Sequence, residues 1–277
     1  MSGTRITIDP ITRIEGHLKI EVEVNDGVVT DAWSSGTLFR GIETILQNRE
    51  PRDAWLFTQR LCGVCTYVHG EASVRCVERA MNLTIPANAR IVRNLLMGGQ
   101  YLHDHMVHFY HLHALDWVDV AGALEADPNA TAALAHFISP DAPAMDFAST
   151  KARLNEFVAS GKLGPFAGGY WGHPAYALTP EENLLLVTHY LYALREQTKA
   201  ARMHALFGAK NPHTQSLRVG GVTCRNEING SRIGEFRSLL SGLRNFVDTV
   251  YLPDVKYLAT RYRDWCRYGS SQNYLCY

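Results

Sequence analysis

The first forty residues alternate apolar and polar side chains in the way that is typical of β structure. Four aliphatic residues between 18 and 24 alternate strictly with charged ones, and this period of two predicts a half-buried strand. Asn-Asp-Gly at 25–27 is a tight-turn signal, and the apolar run from Val28 predicts the returning strand of a hairpin. A third strand is predicted at 6–8.

From Pro51 onward the apolar residues take up helical spacing. Asp53 is a candidate cap for a short helix that ends near Gly63, and a second helix is predicted over 66–82. Residues 88–120 contain no proline and keep apolar side chains at helical spacing. They predict one helix of about 50 Å, at roughly 1.5 Å per residue, which should cross the whole body of a helical domain.

Further helices are predicted at 181–207 and at about 231–264, the second of them beginning at Ser231. The first has a start signal at 179–182, where a threonine cap, a proline and two acidic residues follow one another. Residues 121–180 are rich in alanine, glycine and proline, which predicts loops with short helices between them.

These elements predict an α+β fold. A small amino-terminal antiparallel β region, residues 1–41, should pack on a large, mainly helical body, residues 42–277, with one very long central helix. Residues 268–277 have the pattern of an extended segment that leaves a helix. We therefore expect one domain that is incomplete without further chain on its carboxy-terminal side.

Composition narrows the choice of partners. Lysine and arginine total 27, as do aspartate and glutamate, so the net charge is zero. This balance gives no support to nucleic acid or an anionic membrane as partner. No apolar run approaches the ~18–20 residues that cross a bilayer, and the amino terminus lacks the apolar stretch of a signal peptide. The expected location is cytoplasmic, unless a device outside this chain exports it.

The cysteine pattern contains one candidate metal motif. Cys62 and Cys65 form a CxxC pair between two predicted helices, and amides at the start of the second helix would favour a thiolate at Cys65. The spacing alone is compatible with structural zinc, dithiol redox chemistry, another soft metal or no function. A second zinc-ligand pair is not visible, and a helix rather than a strand is predicted upstream, which weakens the first two alternatives.

Three further side chains have a functional and a plain interpretation. His69 lies four residues after Cys65, where it could hydrogen-bond that sulfur from the same helix or simply pack. Glu15 could turn inward as a proton relay or pair with Arg13 at the surface. Glu43 could bind a hard cation or serve as a first-turn helix acid.

A polar stripe is predicted along the long helix. Its members fall at helical spacing and are Tyr101, Asp104, His108 and His111. The histidines near them face several directions and form no HExxH motif. A buried hydrogen-bonded stripe or a subunit contact is therefore favoured over a histidine metal site.

Two of these motifs together resemble the amino-terminal signatures of nickel–iron hydrogenase large subunits. They read Arg13-Ile14-Glu15-Gly16-His17 and Arg60-Leu61-Cys62-Gly63-Val64-Cys65-Thr66-x-x-His69. Further blocks similar to the family are Phe39-Arg40-Gly41-Ile42-Glu43, His103-Asp104-His105 and Gly220-Gly221-Val222-Thr223-Cys224. The blocks occur in the family's order across essentially the whole chain, so the joint match is far more specific than any single motif.

The resemblance implies a catalyst that cleaves or forms dihydrogen reversibly and heterolytically at a nickel–iron centre. Four cysteines, two near each end of the family's chain, hold the metals, and the iron also carries cyanide and carbon monoxide. By the match, Cys62 would be a terminal nickel thiolate and Cys65 would bridge nickel and iron. His69 would hydrogen-bond the bridging sulfur.

Other roles follow from the same resemblance. Glu15 would be the first carboxylate of the proton path, and Glu43 would ligate a magnesium ion. Asp104 would belong to a polar canopy over the open coordination position. Val64 and Leu112 would line the narrow end of a gas channel and gate it by size.

The resemblance also implies partners. Electrons would leave through iron–sulfur clusters of a separate small subunit, since this chain lacks the grouped cysteines to hold them. Co-export with that subunit would make the enzyme periplasmic. The family's carboxy-terminal CxxC is missing, and Cys276 has no partner at that spacing. We therefore expect a fragment, a truncated product or one piece of a split subunit that is inactive alone.

Two other functions remain as alternatives. A non-catalytic relative of the same fold could dock on an iron–sulfur partner, but such relatives lack the cysteine pair. An unrelated zinc or dithiol redox protein would contain stoichiometric zinc or a reversible disulfide between Cys62 and Cys65.

Overall fold

The computed structural model describes residues 3–166, 176–269 and 272–273. The chain divides into two compact units, of which one comprises residues 1–104 and 201–233 and the other residues 105–200 and 234–277. No helix within the described ranges is long and apolar enough to cross a bilayer. The predicted division at residue 41 stays a prediction, and the predicted extended segment around Cys276 falls largely outside the described residues.

The first unit begins with a three-stranded antiparallel sheet, as the alternating side chains predict. Its strands are β1 (Thr4–Ile8), β2 (Leu18–Asn25) and β3 (Val28–Gly36), in the order β1-β2-β3. Thr4 lies opposite Val24, and Leu18 lies opposite Gly36. The central strand β2 is half-buried along its length, whereas β1 is exposed. This small sheet and the mainly helical remainder confirm the predicted α+β class.

Four α-helices follow along the chain. They are α1 (Ile42–Ile45), α2 (Ala54–Thr58), α3 (Val68–Ala80) and α4 (Ala87–Met106). Asp53 directly precedes α2, as predicted, but its side chain makes no capping hydrogen bond, because a 3-10 turn starting at Pro51 already gives Asp53 a helical backbone, whereas a capping residue is typically extended. The carboxylate of Glu50 instead accepts a hydrogen bond from the Arg52 amide.

The first unit, which contains the Cys62–Cys65 pair, also contains a short hairpin. Its strands are β4 (Leu217–Arg218) and β5 (Gly221–Val222), which pair antiparallel. The next helix, α8 (Gly230–Phe246), starts one residue before the predicted Ser231. Its first turn is capped by the side chain of Asn229, which accepts a 3.0 Å hydrogen bond from the Arg232 amide.

A buried ion pair joins α3, α4 and the hairpin. The Arg93 guanidinium donates to both carboxylate oxygens of Glu78, at 3.0 and 2.7 Å, and to the carbonyl oxygens of Arg218 and Gly221. Burial opposes ionisation of Glu78, but the adjacent guanidinium of Arg93 outweighs it and lowers the pKa of the carboxyl. The pair remains charged in the interior because four hydrogen bonds from the Arg93 guanidinium and one from the Gly220 amide to Glu78 replace those to water, although Arg93 Nε has no hydrogen-bond partner among the described residues.

Replacing Arg93 with methionine is expected to lower the free energy of unfolding by about 3–5 kcal/mol, because Glu78 would remain as a buried charge without its cation. Denaturant unfolding followed by circular dichroism measures the change. Arg90→Met is the matched control, since Arg90 is exposed on the same helix one turn earlier. A loss in Arg93→Met no larger than in the control would contradict this role of the pair.

The second unit is helical. Its α-helices are α5 (Pro128–Ile138), α6 (Phe147–Ala159), most of α7 (Pro180–Gly208), most of α8 and α9 (Leu252–Arg261). The predicted start of α7 is confirmed as a reciprocal cap. The Glu182 amide donates to the Thr179 hydroxyl, while the Thr179 amide donates to the Glu182 carboxylate at 2.6 Å.

The very long helix predicted over 88–120 is present in a modified form. After α4 the chain continues as a π-helix, Val107–His113, and then as a 3-10 turn, Ala114–Asp116. The α-helical spacing could not predict this change, because a π-helix bonds residue i to i+5 and shifts the faces of the residues that follow. Helix α7, with 29 residues, is therefore the longest α-helix among the described residues.

Three buried polar side chains interact in the second unit. The Tyr110 hydroxyl, from the π-helix, donates to Asp254 Oδ2 at 2.7 Å, and His189 Nδ1 lies 2.8 Å from the same oxygen. Burial raises the pKa of Tyr110 well above its ordinary value. These contacts link α7 and α9 to the π-helix through hydrogen bonds.

Candidate metal centre

The two cysteines of the CxxC pair converge on one point. A 3-10 turn, Gln59–Leu61, ends at Cys62, and an irregular turn then leads to α3. The Sγ atoms of Cys62 and Cys65 lie in contact as a disulfide, with the Cα atoms 5.4 Å apart. Cys62 is buried and Cys65 is half-buried. The Cys65 amide donates a 3.0 Å hydrogen bond to Cys62 Sγ, which would stabilise negative charge on that sulfur in the reduced pair.

The predicted helical environment of Cys65 needs one correction. Helix α3 begins at Val68 and not at Thr66. The Thr66 hydroxyl instead accepts a hydrogen bond from the His213 amide, which belongs to a loop distant in sequence. Cys65 therefore precedes the helix. The amide hydrogen bond found in this turn, from Cys65 N–H to Cys62 Sγ, would stabilise negative charge on Cys62 rather than on Cys65 as predicted. His69 lies in the first turn of α3, not one helical turn after Cys65.

The pair can do two kinds of chemistry. Reduction by two electrons would break the S–S bond and give two adjacent thiolates, which take up two protons as free thiols or bind soft metals when they stay deprotonated. The described residues contain no group of three or more histidine, cysteine, aspartate or glutamate side chains placed to hold a metal. Two thiolates fit part of a nickel–iron donor set, and the described residues do not complete it. They do not complete a four-ligand zinc site either.

A loop distant in sequence holds the cysteine turn. His213 Nε2 lies 3.1 Å from the Cys62 carbonyl oxygen and donates to it, since a carbonyl can only accept. The His213 amide donates to the hydroxyl of the buried Thr66. His213 has a left-handed backbone, with φ +65°. His213 was not identified from the sequence as part of the site. The local signal for it is the Asn-Pro-His sequence at 211–213, which indicates a turn but not a contact with the cysteines.

A buried glutamine connects the cysteine turn to Asp104. Gln100 Nε2 donates to the Val64 carbonyl oxygen at 3.1 Å and also to Asp104 Oδ1. His103 Nδ1 lies 3.3 Å from the same carboxylate oxygen. The acid predicted for the polar canopy is therefore linked through one side chain to the turn between the cysteines. Gln100 was not predicted, because glutamine in a helix carries no motif signal.

His69 has an environment that suits a neutral imidazole. Burial lowers its pKa below the ordinary value, since the cationic form loses water. Its backbone carbonyl accepts a 3.2 Å hydrogen bond from the Thr58 hydroxyl, which fixes α3 against α2. Among the described residues, no hydrogen bond joins the His69 ring to Cys65. Its predicted role as a bond donor to that sulfur stays a prediction.

The two amino-terminal acids are exposed in this chain. Glu15 lies in the turn before β2, next to Gly16, whose φ of +93° permits the sharp bend. Glu43 lies in the first turn of α1 after Gly41, which has φ +64°. Within the described residues, neither carboxylate hydrogen-bonds to the cysteine turn. The Arg40 guanidinium does reach that region, because it donates to the Arg60 carbonyl oxygen at 2.9 Å.

The remaining predicted residues differ in burial. Val64 is half-buried in the first unit, and Leu112 is half-buried in the π-helix of the second. The predicted buried polar stripe is wrong, since Tyr101 is 61% exposed and His108 is also exposed. The stripe residues after Met106 leave the α-helix for the π-helix, so the four no longer share one α-helical face. A subunit contact on this stripe stays a prediction.

Comparisons with known proteins agree on one family. A family model described as nickel-dependent hydrogenase matches residues 40–277, and a HoxL-like model matches residues 5–34. The uptake hydrogenase large subunit of Bradyrhizobium diazoefficiens is 51% identical over the whole chain. The hydrogenase-2 large chain of Escherichia coli K12 is 47% identical over 98% of the chain.

Solved structures give the same result. The Ni-Fe-Se hydrogenase of Desulfovibrio vulgaris Hildenborough, in its as-isolated oxidised state, superposes on 94% of this chain with a TM-score of 0.73 and 37% identity. The alignment covers 45% of that chain, and the two large subunits above are covered over 48% and 49% of their length. The chain thus spans about half the length of the relatives it matches.

Proposed function

Because the chain belongs to the nickel-dependent hydrogenase family, we propose that the full-length protein cleaves and forms dihydrogen reversibly and heterolytically at a nickel–iron centre. The observation that carries the proposal is the convergence of the Cys62 and Cys65 sulfurs on one turn, in a chain of this family. Relatives of the same fold that only dock on an iron–sulfur partner lack this pair. The cysteines therefore favour the catalytic function over the docking one.

In this proposal the thiolates of Cys62 and Cys65 would hold the metals, Cys62 as a ligand of nickel and Cys65 as a ligand shared by nickel and iron. Cyanide and carbon monoxide would complete the ligands of the iron. When bound, the metal group supplies the Lewis acid that polarises dihydrogen, while a protein base takes the proton. His69, kept neutral by its burial, retains a ring N–H that can donate to the bridging thiolate. Such a bond would stabilise the charge on sulfur.

Three carboxylates complete the proposed chemistry. Asp104, held near the cysteine turn by Gln100, would stabilise charge as dihydrogen polarises. Glu15 would accept the proton and pass it outward, and Glu43 would bind magnesium through oxygen. Both of these acids are exposed here, so their enclosure would come from the rest of the protein.

The proposed assembly extends beyond this chain. The carboxy-terminal half of the subunit would supply the other two thiolates, and an iron–sulfur small subunit would accept electrons. Val64 and Leu112 would gate the access of gas by their bulk. Co-export with the small subunit would bring the enzyme to the periplasm.

A dithiol function is the second candidate, because the Cys62 and Cys65 sulfurs are joined as a disulfide in this structure. Such a pair could exchange two electrons with a thiol partner without any metal. Zinc is less favoured, since the described residues supply no further ligands that would complete its site.

One experiment separates these functions. The full-length protein is expressed anaerobically together with its small subunit, and its metals and hydrogen-dependent dye reduction are measured. The proposal predicts stoichiometric nickel and iron with hydrogen-dependent reduction of the dye. Stoichiometric zinc without nickel would exclude the hydrogenase function and indicate a zinc protein. A metal-free protein whose Cys62–Cys65 disulfide is reduced and reoxidised reversibly would indicate a dithiol redox function instead.

A further inference from the structure

Gln100 is one of the few uncharged polar side chains that the first unit buries almost completely, with 2% of its surface exposed. Its amide nitrogen serves two acceptors from different parts of the fold, the Val64 carbonyl and the Asp104 carboxylate. We propose that Gln100 is a positioning residue that holds the Asp104 carboxylate beside the turn carrying both cysteines. The inference rests on the proposed function, because it assigns Asp104 a role in hydrogen cleavage.

The geometry fixes the orientation of the amide. Gln100 and Asp104 lie four residues apart on α4, so their side chains share one face of the helix. Val64 belongs to the cysteine turn, 36 residues away along the chain. A primary amide has two N–H groups, one for each acceptor. If the amide were flipped, its oxygen would face the Val64 carbonyl and the Asp104 carboxylate, and both contacts would become repulsive.

The other end of the side chain shows that packing alone does not explain it. Gln100 Oε1 is buried without a hydrogen-bond partner among the described residues. A buried acceptor left without a partner loses its hydrogen bonds to water and gains none in return, a loss that an apolar side chain of similar volume would avoid. The Gln100 oxygen is therefore buried without a hydrogen bond, which destabilises the fold, while the nitrogen of the same amide makes two hydrogen bonds. This distribution indicates that the N–H groups are the functional part.

The first test uses Gln100→Met in the full-length enzyme. Methionine keeps the volume of the side chain and removes both donors. We expect nickel content within about twofold of wild type, because no metal ligand changes, and exchange of D₂ with water slowed about tenfold to a hundredfold, as for a misplaced catalytic group. The double variant Gln100→Met with Asp104→Asn should exchange D₂ no more slowly than Asp104→Asn alone, since both substitutions act through the Asp104 carboxylate. Unchanged exchange, or losses that multiply, would overturn the proposal.

A conservative variant separates positioning from a structural role. In Gln100→Glu the introduced carboxylate repels both acceptors at neutral pH, but when protonated it can donate one hydrogen bond. The exchange rate relative to wild type should therefore rise severalfold as the pH falls from about 8 to about 5. A carboxyl whose pKa is raised by a like charge takes up its proton in this range. The Gln100→Met ratio should stay flat. A flat ratio for Gln100→Glu would contradict the proposal.

Gln59→Met is the matched control. Gln59 is a fully buried glutamine of the same unit, and its amide does not contact Val64 or Asp104. The Gln59→Met variant should be less stable than wild type, but its exchange rate should not recover at low pH. When it is combined with Asp104→Asn, the full loss of rate caused by Asp104→Asn should still be seen. If Gln59→Met instead reproduced the pattern of the Gln100 variants, their effect would be general destabilisation and the proposal would fail.

A measurement without metal distinguishes this inference from the proposed function. In the metal-free full-length protein under reducing conditions, iodoacetamide should modify Cys65 severalfold faster in Gln100→Met, because the turn loses its contact at Val64. The same reaction in Gln59→Met should stay close to wild type. A wild-type protein that takes up no nickel would end the proposed function, whereas equal alkylation rates in wild type and Gln100→Met would end the positioning role.

Discussion

Replacing Cys65 with serine is expected to abolish incorporation of nickel and iron into the full-length protein, and hydrogen uptake with it. In the proposed centre this sulfur bridges both metals, so its loss removes one ligand from each. A serine hydroxyl is a hard donor that stays protonated at neutral pH, and it does not replace a soft thiolate. Metal analysis of the purified protein and hydrogen-dependent dye reduction measure the two losses.

The control for this experiment is Cys76→Ser. Cys76 is a free, exposed cysteine on α3, eleven residues after Cys65, and it should tolerate the change with metals and activity near wild type. Retained hydrogen uptake in Cys65→Ser would remove the bridging role. Loss of metal in both variants would show that the protein is sensitive to cysteine replacement in general.

The parts of the fold that the sequence could predict depend on local interactions. The β2–β3 hairpin follows from alternating side chains and an Asn-Asp-Gly turn, all within twenty residues. The start of α7 follows from Thr179 and Glu182, whose side chains bond to each other's amides across one turn. In both places the residues that determine the structure are neighbours in the chain.

The features that could not be predicted depend on distant contacts. The start of α3 is set partly by Thr66, whose partner His213 lies 147 residues away. The environment of the cysteine turn depends in the same way on Gln100 and His213, neither of which carries a motif signal. Local patterns describe which residues can bind a metal, but the hydrogen bonds that orient them come from tertiary packing.

The same distinction applies to the candidate site. The sequence correctly predicted that the Cys62 and Cys65 sulfurs face one point, because residues three apart come close together where the chain turns between two predicted helices. It could not predict the surroundings of Glu15, since burial of a carboxylate depends on every segment that packs around it. In this chain Glu15 is exposed, and its enclosure is part of what we propose for the full-length protein.

Glu15→Gln is expected to leave nickel and iron in place while it slows exchange between D₂ and water by about 10²–10⁴-fold, the usual contribution of a positioned acid or base. Glutamine keeps the size of the side chain but cannot bind or release a proton at neutral pH. Glu15→Asp keeps the carboxyl on a shorter chain and should restore part of the rate.

Glu23→Gln on β2 is the matched control for this substitution, because it removes a carboxylate from the same end of the chain at a position that no proposed proton path includes. Its exchange rate should equal that of wild type. Mass spectrometry of the gas phase measures HD and H₂ formed from D₂, and metal analysis of the same samples separates a blocked proton path from a failed assembly. A normal exchange rate in Glu15→Gln, with metals present, would remove Glu15 from the relay and require another base near the cysteine turn, for which Asp104 would be the first candidate.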